Sequence, residues 1–317
     1  MERKIIIYIC SVLFSLFCFC YLYFYQANIL QLIQRIASDE QTYYQPWIGA
    51  IVITIILQLL QIGINYIVKL SKRGFALTYF PSILILTILT SINSDTTNLS
   101  IGNWTWLAPI LTLIFIIVII YVKKYEPYEP TIRSNGIFSQ ISWINIGTLT
   151  LLLFFIAIFT NGDYHFHQRA KLESLVNDKD YKGALLTAKS MEYTDSVSSM
   201  LTIYALARQQ QLPESLFYYK IIGGNEVLRP NNKVHSILIP DSVIIKSTQQ
   251  SIHYQLSGFL LGKNREKFMK YLPIYYPIDS LRPRYYKEAF HLFKMIEHGI
   301  KPRRPYAIGS YTKYYFS

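Results

Sequence analysis

"FFIAIFTNGDYHFHQRAKLESLV", residues 154–176, is the stretch where the chain changes solvent. Up to Phe159 it is unbroken hydrocarbon; from Asp163 onward, charged residues return at the spacing of a water-exposed helix. Apolar residues make up 51% of the 317, yet mean hydropathy is only +0.22. The apolar residues must therefore be segregated along the chain.

Working back from that junction, five runs reach the roughly 18 residues needed to cross a hydrocarbon core about 30 Å thick. They are Ile5 to Tyr25, Trp47 to Val68, Phe75 to Ile92, Trp104 to Val122 and Ile141 to Phe159. The first is longer than a signal-peptide core, and no small-x-small cleavage site precedes Tyr21, Tyr23 and Tyr25, so it is expected to be retained. The expected fold is all-α: a bundle of about five transmembrane helices in residues 1–160, then a soluble helical domain over 161–317. Cys10, Cys18 and Cys20, the only cysteines, all fall in the first run, which leaves the later domain without disulfides or thiolate metal sites.

Orientation follows from Lys and Arg in the short loops. Arg3, Lys4, Lys69, Lys72, Arg73, Lys123, Lys124 and Arg133 lie at one set of ends, and Arg35 alone at the other, eight against one. The N-terminus is thus expected in the cytoplasm and the domain after Asn161 outside, in the periplasm if the membrane is a bacterial inner membrane. The expectation hangs on parity, because losing one span would reverse it.

No Asp, Glu, Lys, Arg or His interrupts any of the five runs, which argues against a pump or coupled carrier. Gln58, Gln61 and Asn65, spaced three and four apart, form a polar stripe on one face of the second run. In lipid such a stripe seeks partners, for which Thr78, Ser82, Asn145 and Thr148 are candidates. It serves either to hold a compact bundle or to line a polar groove for a lipid headgroup; a channel or carrier subunit would rest on this feature alone. The first outer loop places Asp39 and Glu40 beside Tyr43 and Tyr44. In that one feature it resembles polytopic glycosyltransferases that use lipid-linked donors, which would make the two carboxylates catalytic; a solvated helix end is the other reading. "KKYEPYEPTIRSNG", residues 123–136, reads as an extended proline-rich linker.

Beyond the junction the pattern is one of helical hairpins. "FHQRAKLESLV" and "YKGALLTAKSM" flank the polar turn "NDKD"; "SSMLTIYALARQQQ" and "LPESLFYYKII" make a second pair. "YYKEAFHLFKMIEHGIKP" repeats the Tyr-Lys-x-Ala spacing of "YKGA" and ends at Gly299 and Pro302. These spacings resemble tetratricopeptide hairpins in degenerate form. Between the second and third pairs lies an irregular insert, about residues 222–247, read either as a connecting loop with a short strand or as part of a binding face. "YQANILQLIQ", "LQLLQIGINYI", "FALTYFPSILILTILTSI" and "LPESLFYYK" together resemble an uncharacterised family of bacterial polytopic membrane proteins with a helical C-terminal region. That resemblance implies architecture and assigns no catalytic residue.

From residue 161 onward there are 22 basic and 13 acidic side chains, an excess of nine positive charges. Acidic headgroups, anionic glycans or an acidic partner would suit that field. The tail, residues 301–317, mixes Arg303, Arg304, Tyr306, Tyr311 and Tyr314, a composition suited to an interface or to rings packed on the last hairpin. Asp163, His165 and His167 lack the further ligands of a metal site, and no metal is expected. Nucleotide, dinucleotide, hydrolase and zincin motifs are absent, so neither a cofactor nor nucleic acid is expected. The leading expectation is a membrane-anchored helical-repeat scaffold or adaptor that docks an envelope protein and contacts membrane lipids, without catalysis. A membrane enzyme or enzyme subunit acting on a lipid-linked glycan through Asp39 and Glu40 is the alternative.

Overall fold

A computed structural model describes residues 2–70, 73–91, 102–126, 139–300, 302 and 304–317. The loop after Ser91, most of the Tyr-Glu-Pro linker, Lys72, Arg133 and Arg303 lie outside the described residues. Those described are helical without a single strand, and they divide into two compact units, Met1–Asp163 and Tyr164–Ser317.

In the first unit α1 (Glu2–Cys20) runs into a π-helical turn, Tyr21–Tyr25, closed by the Gln26 N–H on the Tyr21 carbonyl at 3.0 Å. After it come α2 (Ala27–Ala37), α3 (Pro46–Val68), α4 (Phe80–Thr90), α5 (Trp104–Tyr125) and α6 (Gln140–Phe159). Proline in the first turn suits α3 and α4, since that N–H has no partner in a helix anyway. Four helices, Ile5–Tyr25, Pro46–Val68, Trp104–Tyr125 and Gln140–Phe159, are long and apolar enough to cross a membrane. Their outward faces carry Val52, Ile55, Ile56, Leu59 and Ile62 on α3, and α5 buries only Trp104 and Ile119, an inside-out pattern that lipid satisfies.

The third expected span differs. Phe75–Thr90 is shorter than the run expected through Ile92, and it begins as a 3₁₀ helix, Phe75–Tyr79, that changes to α-helix just before Pro81. At about 2.0 and 1.5 Å rise per residue, the two pieces together extend roughly 26 Å. This element is the best buried of the bundle, with Phe75, Ala76, Tyr79, Ser82, Ile83 and Leu86 all inside.

Contacts fix the chain direction. Phe14 packs on Tyr79 at 4.8 Å, and the Tyr21 hydroxyl reaches Thr90 at 3.3 Å, so α1 runs parallel to α4. Asn145 accepts from the Ala76 N–H at 2.8 Å, while the Asn161 N–H donates to the Thr90 carbonyl at 3.2 Å, so α6 is parallel as well. Gln61 meets Thr78 and Leu57 meets Ser82, making α3 antiparallel. Phe115 stacks on Phe80 at 5.2 Å and Trp104 meets Phe159 at 6.1 Å, so α5 is antiparallel too. The five elements alternate in direction, and Ile5 and Phe159 lie at opposite ends of the bundle.

The second unit contains α7 (Tyr164–Asn177), α8 (Tyr181–Ser190) and α9 (Ser196–Arg208), which pack on one another. Asp180 and Asp195 cap α8 and α9, their carboxylates accepting from Gly183 N at 3.0 Å and Ser198 N at 2.7 Å. The partner of α9 is cut short: α10 (Leu212–Ser215) is one turn, followed by a 3₁₀ turn, Leu216–Tyr218. The β-branched part of the insert forms α11 (Asp241–Thr248), a helix rather than the short strand expected. Pro240 stops the preceding chain and Asp241 sits favourably in the first turn. α12 (Ile252–Leu261), α13 (Arg265–Tyr275), α14 (Arg284–Glu297) and α15 (Tyr311–Phe316) complete the unit.

Candidate functional site

The polar stripe of α3 is turned largely inward. Gln61 donates to Thr78 Oγ1 at 2.8 Å, and the Thr78 hydroxyl donates on to the Phe75 carbonyl at 2.7 Å. Ser82 donates to the Leu57 carbonyl at 2.8 Å, and Gln58 bridges Gln61 at 3.4 Å and Ser15 at 3.5 Å. Asn65, one turn farther on, makes none of these bonds, and its side-chain Oδ1 is buried without a partner among the described residues. Asn145 serves elsewhere, capping the first turn of the 3₁₀ segment through Ala76. Most of these groups are occupied in joining helices.

Asp39 and Glu40 are exposed just beyond α2, both with left-handed backbone, φ 47° and 63°. The Ser38 N–H bonds the Gln34 carbonyl at 3.0 Å and the Glu40 N–H bonds the Arg35 carbonyl at 2.8 Å, a helix-terminating pattern that accounts for the unusual φ values. Arg35 is buried, with its guanidinium 5.2 Å from the Tyr43 ring centre.

The tail divides. Arg304 is exposed over Tyr306 at 5.8 Å, and Tyr306 stacks on Phe316. Tyr311 is fully buried, its ring against Phe217 at 5.1 Å and Phe293 at 5.8 Å, while Tyr314 donates to the Leu261 carbonyl at 3.0 Å. Burial pushes the Tyr311 hydroxyl well above the usual phenol range. Tyr311 and Tyr314 thus hold α15 onto α12 and α14.

At the membrane junction, His167 is buried and His165 meets Tyr193 at 5.0 Å. Among the described residues no three of His, Cys, Asp and Glu gather as a metal cage would require.

Two features of the insert had no specific signal in the sequence. Glu173 on α7 is completely buried and anchors the insert: its Oε2 accepts from Ser236 Oγ at 3.2 Å, Ile237 N at 3.0 Å and Leu238 N at 3.3 Å, while Oε1 pairs with Arg169 at 3.3 Å. Burial pushes the carboxyl's pKa up, against Arg169 and the two amides, which favour the charged form. Arg169 also reaches Asp195 at 3.2 Å.

Separately, the insert walls a groove of about 870 Å³ between its 3₁₀ turn, Gly224–Leu228, and α12. Asn225, Gln249, Gln250, Gln255 and Asn264 line it, with Glu226, Arg229 and Lys267 as its charges. Gly258 permits the close approach, because a Cβ there would come within 2.7 Å of Leu228. The volume is that of a ligand site, but the lining is unusually rich in carboxamides. Their signal was faint in the sequence because isolated Asn and Gln are ordinary in a polar domain.

No family model, curated protein or solved structure matches the chain.

Proposed function

We propose that the chain is a scaffold or adaptor of the bacterial inner membrane, whose first unit anchors a tetratricopeptide-like second unit that docks an envelope protein without catalysing a reaction. The observation that carries this reading is the carboxamide-lined groove beside α12, whose size and free side-chain amides suit a recognition surface. The alternating direction of the five apolar elements fits ends of the bundle on opposite membrane faces, and the Lys and Arg bias of the loops then favours an N-terminus in the cytoplasm and a second unit in the periplasm.

The test is photo-crosslinking in living cells from exposed positions spread over the second unit, such as Leu186, Lys220, Gln250 and Ile278. A defined adduct of constant mass from at least one position is expected. Only diffuse adducts from every position would overturn the docking reading.

A further inference from the structure

We infer that the groove beside α12 takes an extended, net-acidic peptide segment of the docked protein and reads mainly its main chain. This rests on the docking reading above. Ile252, Gln255, Phe259 and Gly262 succeed one another along the groove face of α12. Ten residues of helix make a floor about 15 Å long. An extended chain advances about 3.3 Å per residue, so four or five residues fit.

The lining supplies what such a backbone needs. Among the described residues, the side-chain amides of Asn225, Gln249 and Gln250 carry no hydrogen bond. Gln255 uses only its carbonyl, accepting from Tyr275 at 3.0 Å, and Asn264 only its own, accepting from Lys267 N at 3.0 Å, leaving both NH₂ groups to donate. A carboxamide donates and accepts, as the alternating N–H and C=O groups of an extended chain require.

Of the rings, Phe259 has one face stacked on Tyr271 at 5.6 Å, and the Tyr275 hydroxyl is tied to Gln255. The charges favour acid, with Arg229 and Lys267 against Glu226 inside a unit carrying ten excess positive charges.

The experiment uses the full chain in lipid nanodiscs and fluorescence anisotropy with two pools of end-capped peptides of about ten residues, matched except that one carries Asp and Glu where the other carries Lys and Arg. The acidic pool should bind at least about tenfold tighter. Asn225→Leu with Gln250→Leu should weaken it by about tenfold, the loss of two modest hydrogen bonds, with an unchanged melting temperature. Lys267→Glu should narrow or reverse the preference between pools. Failure of both pools to bind, or binding indifferent to these variants, would overturn the inference, as would a neutral oligosaccharide set that binds in a variant-sensitive way. In cells, a defined adduct from Leu186 but none from Gln250 would leave docking standing and remove the groove. No defined adduct anywhere would remove both.

Discussion

The two units put their polar side chains to opposite uses. Inside the membrane unit, Gln58, Gln61, Thr78 and Ser82 stand out because everything around them is hydrocarbon, and they join helices. In the second unit the carboxamides of the groove are lost among many polar neighbours, yet Asn225, Gln249 and Gln250 remain free to meet a ligand. A polar residue in an apolar run announces itself and is spent on structure. One in a polar domain is silent until the fold gathers it with others.

The largest expected effect belongs to the aromatic core of the second unit. Tyr311→Ala removes a fully buried ring between Phe217 and Phe293, and should cost about 4 kcal/mol, read as a lower denaturant midpoint with α15 released to proteolysis. Retention of the midpoint would mean that Tyr311 is an interface residue after all.

Next comes the anchor. Glu173→Ala strands the Ile237 and Leu238 amides and should cost about 3 kcal/mol, with faster hydrogen exchange over residues 236–239. Glu173→Gln keeps one carbonyl acceptor and should lose less. Equal losses would assign the anchor to the Arg169 ion pair alone.

A smaller effect is expected in the membrane unit, where Gln61→Leu should cost about 1 kcal/mol in bilayers or detergent. Solute flux unaffected by that change would leave the stripe structural; abolished flux would revive a channel role.

The smallest effect is a pH dependence. His253 lies 3.3 Å from the Tyr286 hydroxyl, and burial holds its pKa below the usual imidazole range, so the neutral form belongs to the fold. The unfolded chain therefore binds the proton first. This contribution to stability is complete above about pH 6.5 and falls as pH drops through the window down to the depressed folded value. His253→Gln should flatten that part of the stability profile, and an unchanged slope would place its origin elsewhere.

Much of the helical organisation was legible because lipid imposes a long, uniform apolar signal, and because the polar turn "NDKD" separates two stretches of helical spacing. The 3₁₀ start of Phe75–Thr90 and its end at Thr90 were not, since hydropathy registers neither the type of helix nor its last residue. The helix Asp241–Thr248 was misjudged as a strand because Val243, Ile244 and Ile245 are β-branched, a local preference that packing of Ile244 and Thr248 overrode. The groove depends on residues 225 and 264 meeting across the fold, a placement no local pattern encodes.

The most direct test of the account is paired labelling with a membrane-impermeant maleimide, since the native cysteines are confined to α1. Lys189→Cys on the exposed face of α8 should label in intact cells with a permeabilised outer membrane, whereas Lys124→Cys at the end of α5 should label only after lysis. Labelling of Lys189→Cys only after lysis would place the second unit in the cytoplasm and contradict the proposal of a periplasmic docking domain.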